Sequence, residues 1–212
     1  MPTYSYRVPM LSSISWNNVN ITFSYAKDRL DTQKERLTSI MVKDNNSTVK
    51  HVTFNNNAYF GDRSSNYRMK LSSLSMKGNA TSTIADNYTF SYDTSTPPNH
   101  YNVSNAGGSS SSYCREDYWG YYNGKSNTTF FPTEGADRSP SFAHTTANIL
   151  TRVYNNLGGY VDYEYENNKL INGSIVGGVR VKNIKRYDGA SNCLTTNYSY
   201  ANGCLLYTSP SP

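Results

Sequence analysis

The chain has 212 residues and a formal charge of +5, with only 36% hydrophobic and 17% charged residues. Asn, Ser, Thr and Gly carry its polarity, and with 20 Tyr this composition suits strands and turns, as in extracellular-type all-β proteins, and excludes a helical cytosolic enzyme. Aromatics at 14% are too many for a disordered chain, and no stretch has the apolar length of a membrane-spanning helix.

Residues 7–26 read as two strands, RVPMLSSISW and VNITFSYA, about a turn at Asn17-Asn18. In the second strand Ile21, Phe23 and Tyr25 alternate with Thr22 and Ser24, a period of two that sends the two sets to opposite faces. The charged connector 27–35 has too few apolar positions for a stable helix. Leu37, Ile40 and Val42 then lead to a turn at Asp44-Asn45-Asn46, and Val49, Val52 and Phe54 return. Met69, Leu71 and Leu74 precede Lys77-Gly78-Asn79, and YTFSYD returns until Thr96-Pro97-Pro98, where proline cannot donate to a ladder.

Residues 99–113, with Gly107-Gly108 and a run of serines, read as a flexible polar loop. An aromatic segment rich in turn residues follows to about residue 142, with Tyr118, Trp119, Tyr121, Tyr122, Phe130 and Phe131, and reads as an ordered insertion packed on the sheet. ANILTRVYNNLGGYVDYEYENN resumes the hairpins with a turn at Leu157-Gly158-Gly159, and GGVRVKNIKRYDGASNCLTTNYSYANG gives the last one.

One pattern recurs along this path: an alternating aromatic strand ending in x-Tyr-x. Its copies are ITFSYA (21–26), YTFSYD (88–93), VDYEYE (161–166) and NYSYA (197–201), with a degenerate copy in HVTFNNNAYF (51–60). Such self-similarity marks an array of supersecondary units, each unable to bury its apolar face alone. The predicted fold is all-β: repeated antiparallel hairpins forming an extended or curled sheet, with one aromatic-rich loop insertion. The expected divisions are hairpins over 1–98, loop and insertion over 99–145, and hairpins over 146–203. Exposed strand edges are expected to make the chain poorly soluble by itself.

Several residue sets invite a chemical reading. Glu116-Asp117 and the pair Glu164 and Glu166 are the paired carboxylates; the latter lie on one strand face about 7 Å apart. Glycoside hydrolysis needs two such groups converging in a cleft, but any strand with Glu-x-Glu has this spacing, so a solvated strand is the preferred reading. His51, His100 and His144 stand alone, without metal or nucleophile spacing. Oxygen ligands at Asp44-Asn45-Asn46 and Asp86-Asn87 are explained by turn formation without calcium. Arg180 and Lys182 fall on one strand face and cluster with Lys185 and Arg186, which reads as a solvated face, so nucleic acid is not an expected partner. Cys193 and Cys204 flank the last strand and could staple its ends if the geometry allows, a bridge discounted because Cys204 falls in a terminal tail expected to be non-native; the odd count of three, with Cys114 and no CxxC spacing, argues against a metal site and a dense disulfide framework. Tyr118, Trp119, Tyr121 and Tyr122 are the candidate ligand-stacking residues for a sugar ring, weighed against aromatic packing. No catalytic residue, metal or cofactor is expected.

YWGYYNGK, GADRSP, ILTRVYNNLGGYVDYEYE and GGVRVKNIKRYDG, in that order, resemble the Rhs-like tyrosine–aspartate (YD) repeat proteins of Bacteroidetes-type bacteria. The resemblance runs from about Arg7 to Gly203; Asn155-Asn156-Leu157 stands where Tyr-Pro-Thr is usual in that family. It implies a segment of a very large secreted or cell-surface protein, whose hairpins build a sheet, spiral or shell. Those hairpins display or enclose a variable C-terminal effector domain, commonly a toxin. The expected function is non-enzymatic scaffolding, with the rest of the same polypeptide as partner; the alternative is an adhesin module for cell-surface glycans. The N-terminus lacks signal-peptide organisation, so the chain is expected to begin inside a longer one. The last nine residues, CLLYTSPSP (204–212), resemble adapter sequence read as coding sequence in metagenomic translations and are expected to be non-native.

Overall fold

The computed structural model describes residues 9–32, 34–60, 68–79, 82, 85–95 and 114–200. The predicted stop at Thr96-Pro97-Pro98, His100, Gly107-Gly108, Cys204 and the tail lie outside the described residues. Twelve strands are seen among those residues, and α1 (Phe142–Thr145) has a single turn. The fold is antiparallel β, and the chain divides into two compact units: Met1–Ala58 with Met69–Thr89, and Tyr59–Arg68 with Phe90–Pro212.

In the first unit β1 (Ser13–Trp16), β2 (Val19–Ala26), β3 (Arg36–Asp44), β4 (Ser47–Asn55), β7 (Ser73–Lys77) and the start of β8 (Asp86–Tyr92) are neighbours in that order. Between β4 and β7 the short strands β5 (Ala58–Phe60) and β6 (Arg68–Lys70) pair with each other. The turns are where the sequence places them. Asn17 has φ 50°, and Asn45 and Asn46 have φ 46° and 66°, the left-handed pair of a two-residue type I′ hairpin. By contrast Asp86 and Asn87, read as a turn, begin β8.

Cross-strand partners share a face, so the register sorts the side chains. One face carries Ile14, Ile21 and Val42, then Phe23, Ile40, Val52 and Met76, then Phe54, Leu74 and Tyr88. The other carries an unbroken polar row across five strands: Ser24, Ser39, Thr53, Ser75 and Asn87. The connector before β3 forms no helix among its described residues. Ion pairs hold it instead: Asp31 takes both Arg29 nitrogens at 2.8 Å and the Met69 N–H at 3.1 Å, and Arg36 grips Asp28 at 2.6 and 2.7 Å.

In the second unit the order is β9 (Leu150–Asn155), β10 (Tyr160–Lys169), β11 (Ile175–Tyr187) and β12 (Cys193–Asn197). The β9–β10 turn has Gly158 at φ 86°, and Asn155 Oδ1 accepts the N–H groups of Leu157 and Gly159, each at 2.9 Å. The β11–β12 turn lies against it so closely that a Cβ on Gly189 would stand 2.7 Å from the Gly158 carbonyl carbon. Of the last x-Tyr-x copy, Asn197 ends β12 and the described residues Tyr198–Tyr200 are not in a strand. After Asn197 the chain lies along β11 with the Tyr198 N–H on the Lys182 carbonyl at 3.0 Å and the Tyr200 hydroxyl on that of Val181 at 2.5 Å.

Deep burial is scarce in the strands. β3 is half-buried on both faces until Asp44, and so is β10 until Lys169. Among the described residues the buried apolar side chains are Cys114 and Ala136, both in the insertion. Trp16 is 72% and Leu194 66% exposed on β1 and β12, each of which has one partner strand among the described residues.

Candidate functional site

Among the described residues most of the buried side chains gather in the insertion and the turn after it, and the centre is polar. Asp117 is fully buried and Asn123 is 1% exposed. Asp117 organises the YWGYY loop. Its Oδ1 accepts the N–H groups of Trp119 at 2.8 Å and Tyr121 at 3.0 Å, and its own N–H donates to the Tyr121 carbonyl at 2.8 Å. Gly120, at φ 84°, supplies the left-handed residue of this tight loop, and a bridge between Glu116 and Tyr122 closes it.

Amide side chains replace the missing ladder bonds of the rest. Asn123 Nδ2 donates to the carbonyls of Asp137 and Ser139 at 3.0 and 3.2 Å. Asn127 Nδ2 donates to Cys114 and Asp137, and its Oδ1 takes the Asp137 N–H at 2.9 Å. Arg138 Nη2 donates to the Asp117 carbonyl at 2.6 Å, while the guanidinium lies 5.2 Å from the rings of both Tyr118 and Phe130. The Asp137 carboxyl is held well below the usual range by its Lys125 partner first, and by Ser139.

The floor under this loop is the buried pair Gly177-Gly178 of β11. The pairing with β10 steps from Asn167–Val179 to Asn168–Val176, so the two glycines form a bulge, and Gly178 has φ 82°. A Cβ on Gly177 would stand 2.7 Å from Asp117 Oδ2 and from Trp119 Cβ; one on Gly178 would stand 2.9 Å from Tyr121 Cζ. The GGV of the sequence is thus the socket for the YWGYY loop.

The four aromatic candidates are brought together but not into one plane. Tyr118 is 58%, Trp119 39% and Tyr121 45% exposed. The Tyr118 and Trp119 rings meet edge-on, with centroids 6.1 Å apart at 85°. Tyr122 is half-buried and edge-on to His144, whose ring covers Gly124.

The carboxylates are held apart. Glu166 pairs with Arg180 at 2.7 Å, Glu164 pairs with Lys185 and accepts Asn183 Nδ2 at 2.8 Å, and Asp162 takes Arg152 through Nε and through Nη2 at 2.7 Å. This ladder also corrects the basic stripe. The register slips between Glu164 and Tyr165, leaving Lys182 in a bulge, so Arg180 shares its face with Asn183 and Lys185 and not with Lys182 in simple alternation. The cations of that face are neutralised one by one by the β10 carboxylates. Lys185 holds the Glu164 carboxyl below its usual range, with Asn183 adding to the effect, and Glu164 raises Lys185 in turn.

His51 stands in β4 opposite Met41 and Lys77, and no group of three metal-ligating side chains occurs among the described residues. Cys114 is buried and Cys193 exposed, both as free thiols. Sequence reasoning missed Arg152, Asp162, Asn123, Asn127 and Arg138. A strand-turn-strand of type Arg-x-Tyr…Tyr-x-Asp was the available signal for the first pair; the others are joined across 10 to 21 residues of loop, for which the sequence carries no periodic signal.

No family profile and no curated protein matches this chain. Among solved structures it is similar to a porin-like protein from Bacteroides uniformis, with a TM-score of 0.36 and 16% identity. That match covers 84% of this chain and 57% of the other, and a likeness so slight carries no argument about fold or function.

Proposed function

We propose that this chain is a structural β-hairpin segment of a large secreted or cell-surface polypeptide of the Rhs-like, YD-repeat kind, which displays or encloses an effector domain lying elsewhere in it. The observation that carries the reading is what the well-defined polar groups do. Asp117, Asn123, Asn127 and Arg138 spend their hydrogen bonds on the insertion's own backbone, shaping a loop that packs closely on the bulge at Gly177-Gly178. The carboxylates of β10 each take a separate cation. These are devices for holding hairpins in register. An adhesin reading keeps one supporting observation, the exposure of Tyr118, Trp119 and Tyr121 on a braced loop.

The test is an antibody raised against residues 114–200, used on fractionated source cells. The proposal expects a polypeptide several times longer than 212 residues in the surface or secreted fraction. A cytosolic product of about this length would overturn it.

A further inference from the structure

A cleft of about 320 Å³ opens on the second unit, lined by Ser91, Thr151, Arg152, Tyr154, Asp162, Tyr163 and Glu164. Its volume is at the small end of the range for ligand clefts, about 300 to 1,000 Å³. β9 and β10 build it. Arg152 and Asp162 are cross-strand partners, as are Tyr154 and Tyr160, so all four side chains share one face with Glu164.

The Arg152 guanidinium is fixed from three sides. It lies 4.1 Å from the Tyr160 ring centroid and 5.4 Å from that of Tyr154, it donates to the Tyr154 hydroxyl at 3.1 Å, and it is paired to Asp162. Tyr160 is held in turn by a stack on Tyr187 at 4.3 Å and 21°. The polar groups around the cleft are therefore preorganised, and Tyr154 remains 36% exposed beside them.

The charges decide the ligand class. A free anion entering the cleft meets Asp162 and Glu164, and a free cation meets Arg152; each charge is already matched, Arg152 by Asp162 and Glu164 by Lys185. What the cleft offers is a dense set of hydrogen-bond donors and acceptors without net charge, next to an exposed phenol ring. A ligand suited to it has adjacent hydroxyls that both donate and accept, and an apolar C–H face to lie on Tyr154.

We propose that this cleft binds one ring of a neutral saccharide. Asp162 and Glu164 accept from its hydroxyls, Arg152 donates, and Tyr154 stacks. The inference goes beyond the scaffold reading and does not involve the aromatic loop at Tyr118–Tyr122. In an open cleft the affinity is weak, on the order of millimolar.

The test is saturation-transfer NMR on the whole chain with D-glucose, D-galactose, D-mannose and N-acetyl-D-glucosamine, and with D-glucuronate and D-glucosamine as charged controls. The expected result is transfer to at least one neutral sugar, stronger than to either charged one. That transfer falls at least fivefold in Tyr154→Ala and in Asp162→Asn, and is unchanged in Trp119→Ala. Circular dichroism of each variant identifies one that has lost its fold. Because Tyr154 is exposed, Tyr154→Leu gives a reading that does not depend on breaking the ion pair. No transfer with any neutral sugar, transfer that survives Tyr154→Leu, preference for a charged sugar, or loss on Trp119→Ala instead would overturn the proposal.

Discussion

Gly177 of β11 touches Asp117 of the insertion so closely that the Cβ it lacks would stand 2.7 Å from Asp117 Oδ2. The contact joins a bulge in a long strand to the one carboxylate that shapes the YWGYY loop. Gly177→Ala is expected to cost about 1–3 kcal/mol by overpacking. Gly178→Ala adds the strain of a left-handed residue at φ 82° and is expected to cost about 2–4 kcal/mol. Urea unfolding followed by tryptophan fluorescence in a Trp16→Phe background, where Trp119 alone reports, measures both; equal stability to the parent would show that the loop does not sit on the bulge.

Asp117 acts through Oδ1, which holds two backbone N–H groups. Asp117→Ala leaves both without their acceptor in a buried place and is expected to cost about 3 kcal/mol. Asp117→Asn keeps that acceptor and is expected to cost about 1 kcal/mol. Limited proteolysis reads the same difference locally, with early cleavage between residues 114 and 149 in the alanine variant only.

The β3–β4 turn places Asn45 and Asn46 at φ 46° and 66°. Asn46→Gly is expected to be neutral or stabilising by a few tenths of a kcal/mol, because glycine carries no penalty there, while Asn46→Val is expected to cost about 1–2 kcal/mol. Thermal unfolding midpoints of the two variants should therefore move in opposite directions or differ by several degrees.

The ion-pair ladder predicts a stability plateau with two ends. Arg29 holds Asp31, Lys185 holds Glu164 and Lys125 holds Asp137 below their usual values. A carboxyl with a depressed folded value contributes stability above its unfolded value and loses it as pH falls through the folded one, so the unfolding temperature should drop below about pH 4. Lys185 is raised by Glu164, so its contribution is present below its unfolded value and lost as pH rises beyond about 10. Glu164→Gln should flatten the acid limb while changing stability little at pH 7, since both partners of the pair are partly open to solvent. A stability maximum below pH 4 would contradict the ladder.

What the sequence made legible was local. Asn17, Asn45-Asn46 and Leu157-Gly158 mark turns through backbone preferences that need no tertiary partner, and the alternation of Ile21, Phe23 and Tyr25 with Thr22 and Ser24 gives the faces of β2. Register was not legible. The single extra residue at Lys182 changes the parity of β11, the two extra residues Gly177-Gly178 shift its register by two, and a pattern with period two cannot foresee where residues are inserted. Asp86-Asn87 has turn chemistry yet begins a strand, because its register with β7 overrides local preference. NYSYA has strand composition, yet β12 ends at its first residue: Tyr198 still donates its N–H to the Lys182 carbonyl, and Tyr200 reaches β11 through its hydroxyl. The polar centre of the insertion was hidden because Asn123, Asn127 and Arg138 find partners far along the chain.

The scaffold account is tested most directly by a long read of the source DNA across the codons for Asn202 to Pro212 and well beyond both ends of the chain. The account predicts an open frame that continues past Gly203 into further x-Tyr-x hairpins and then a dissimilar C-terminal domain. A frame that holds CLLYTSPSP followed at once by a stop codon, with no further hairpins on either side, would contradict it.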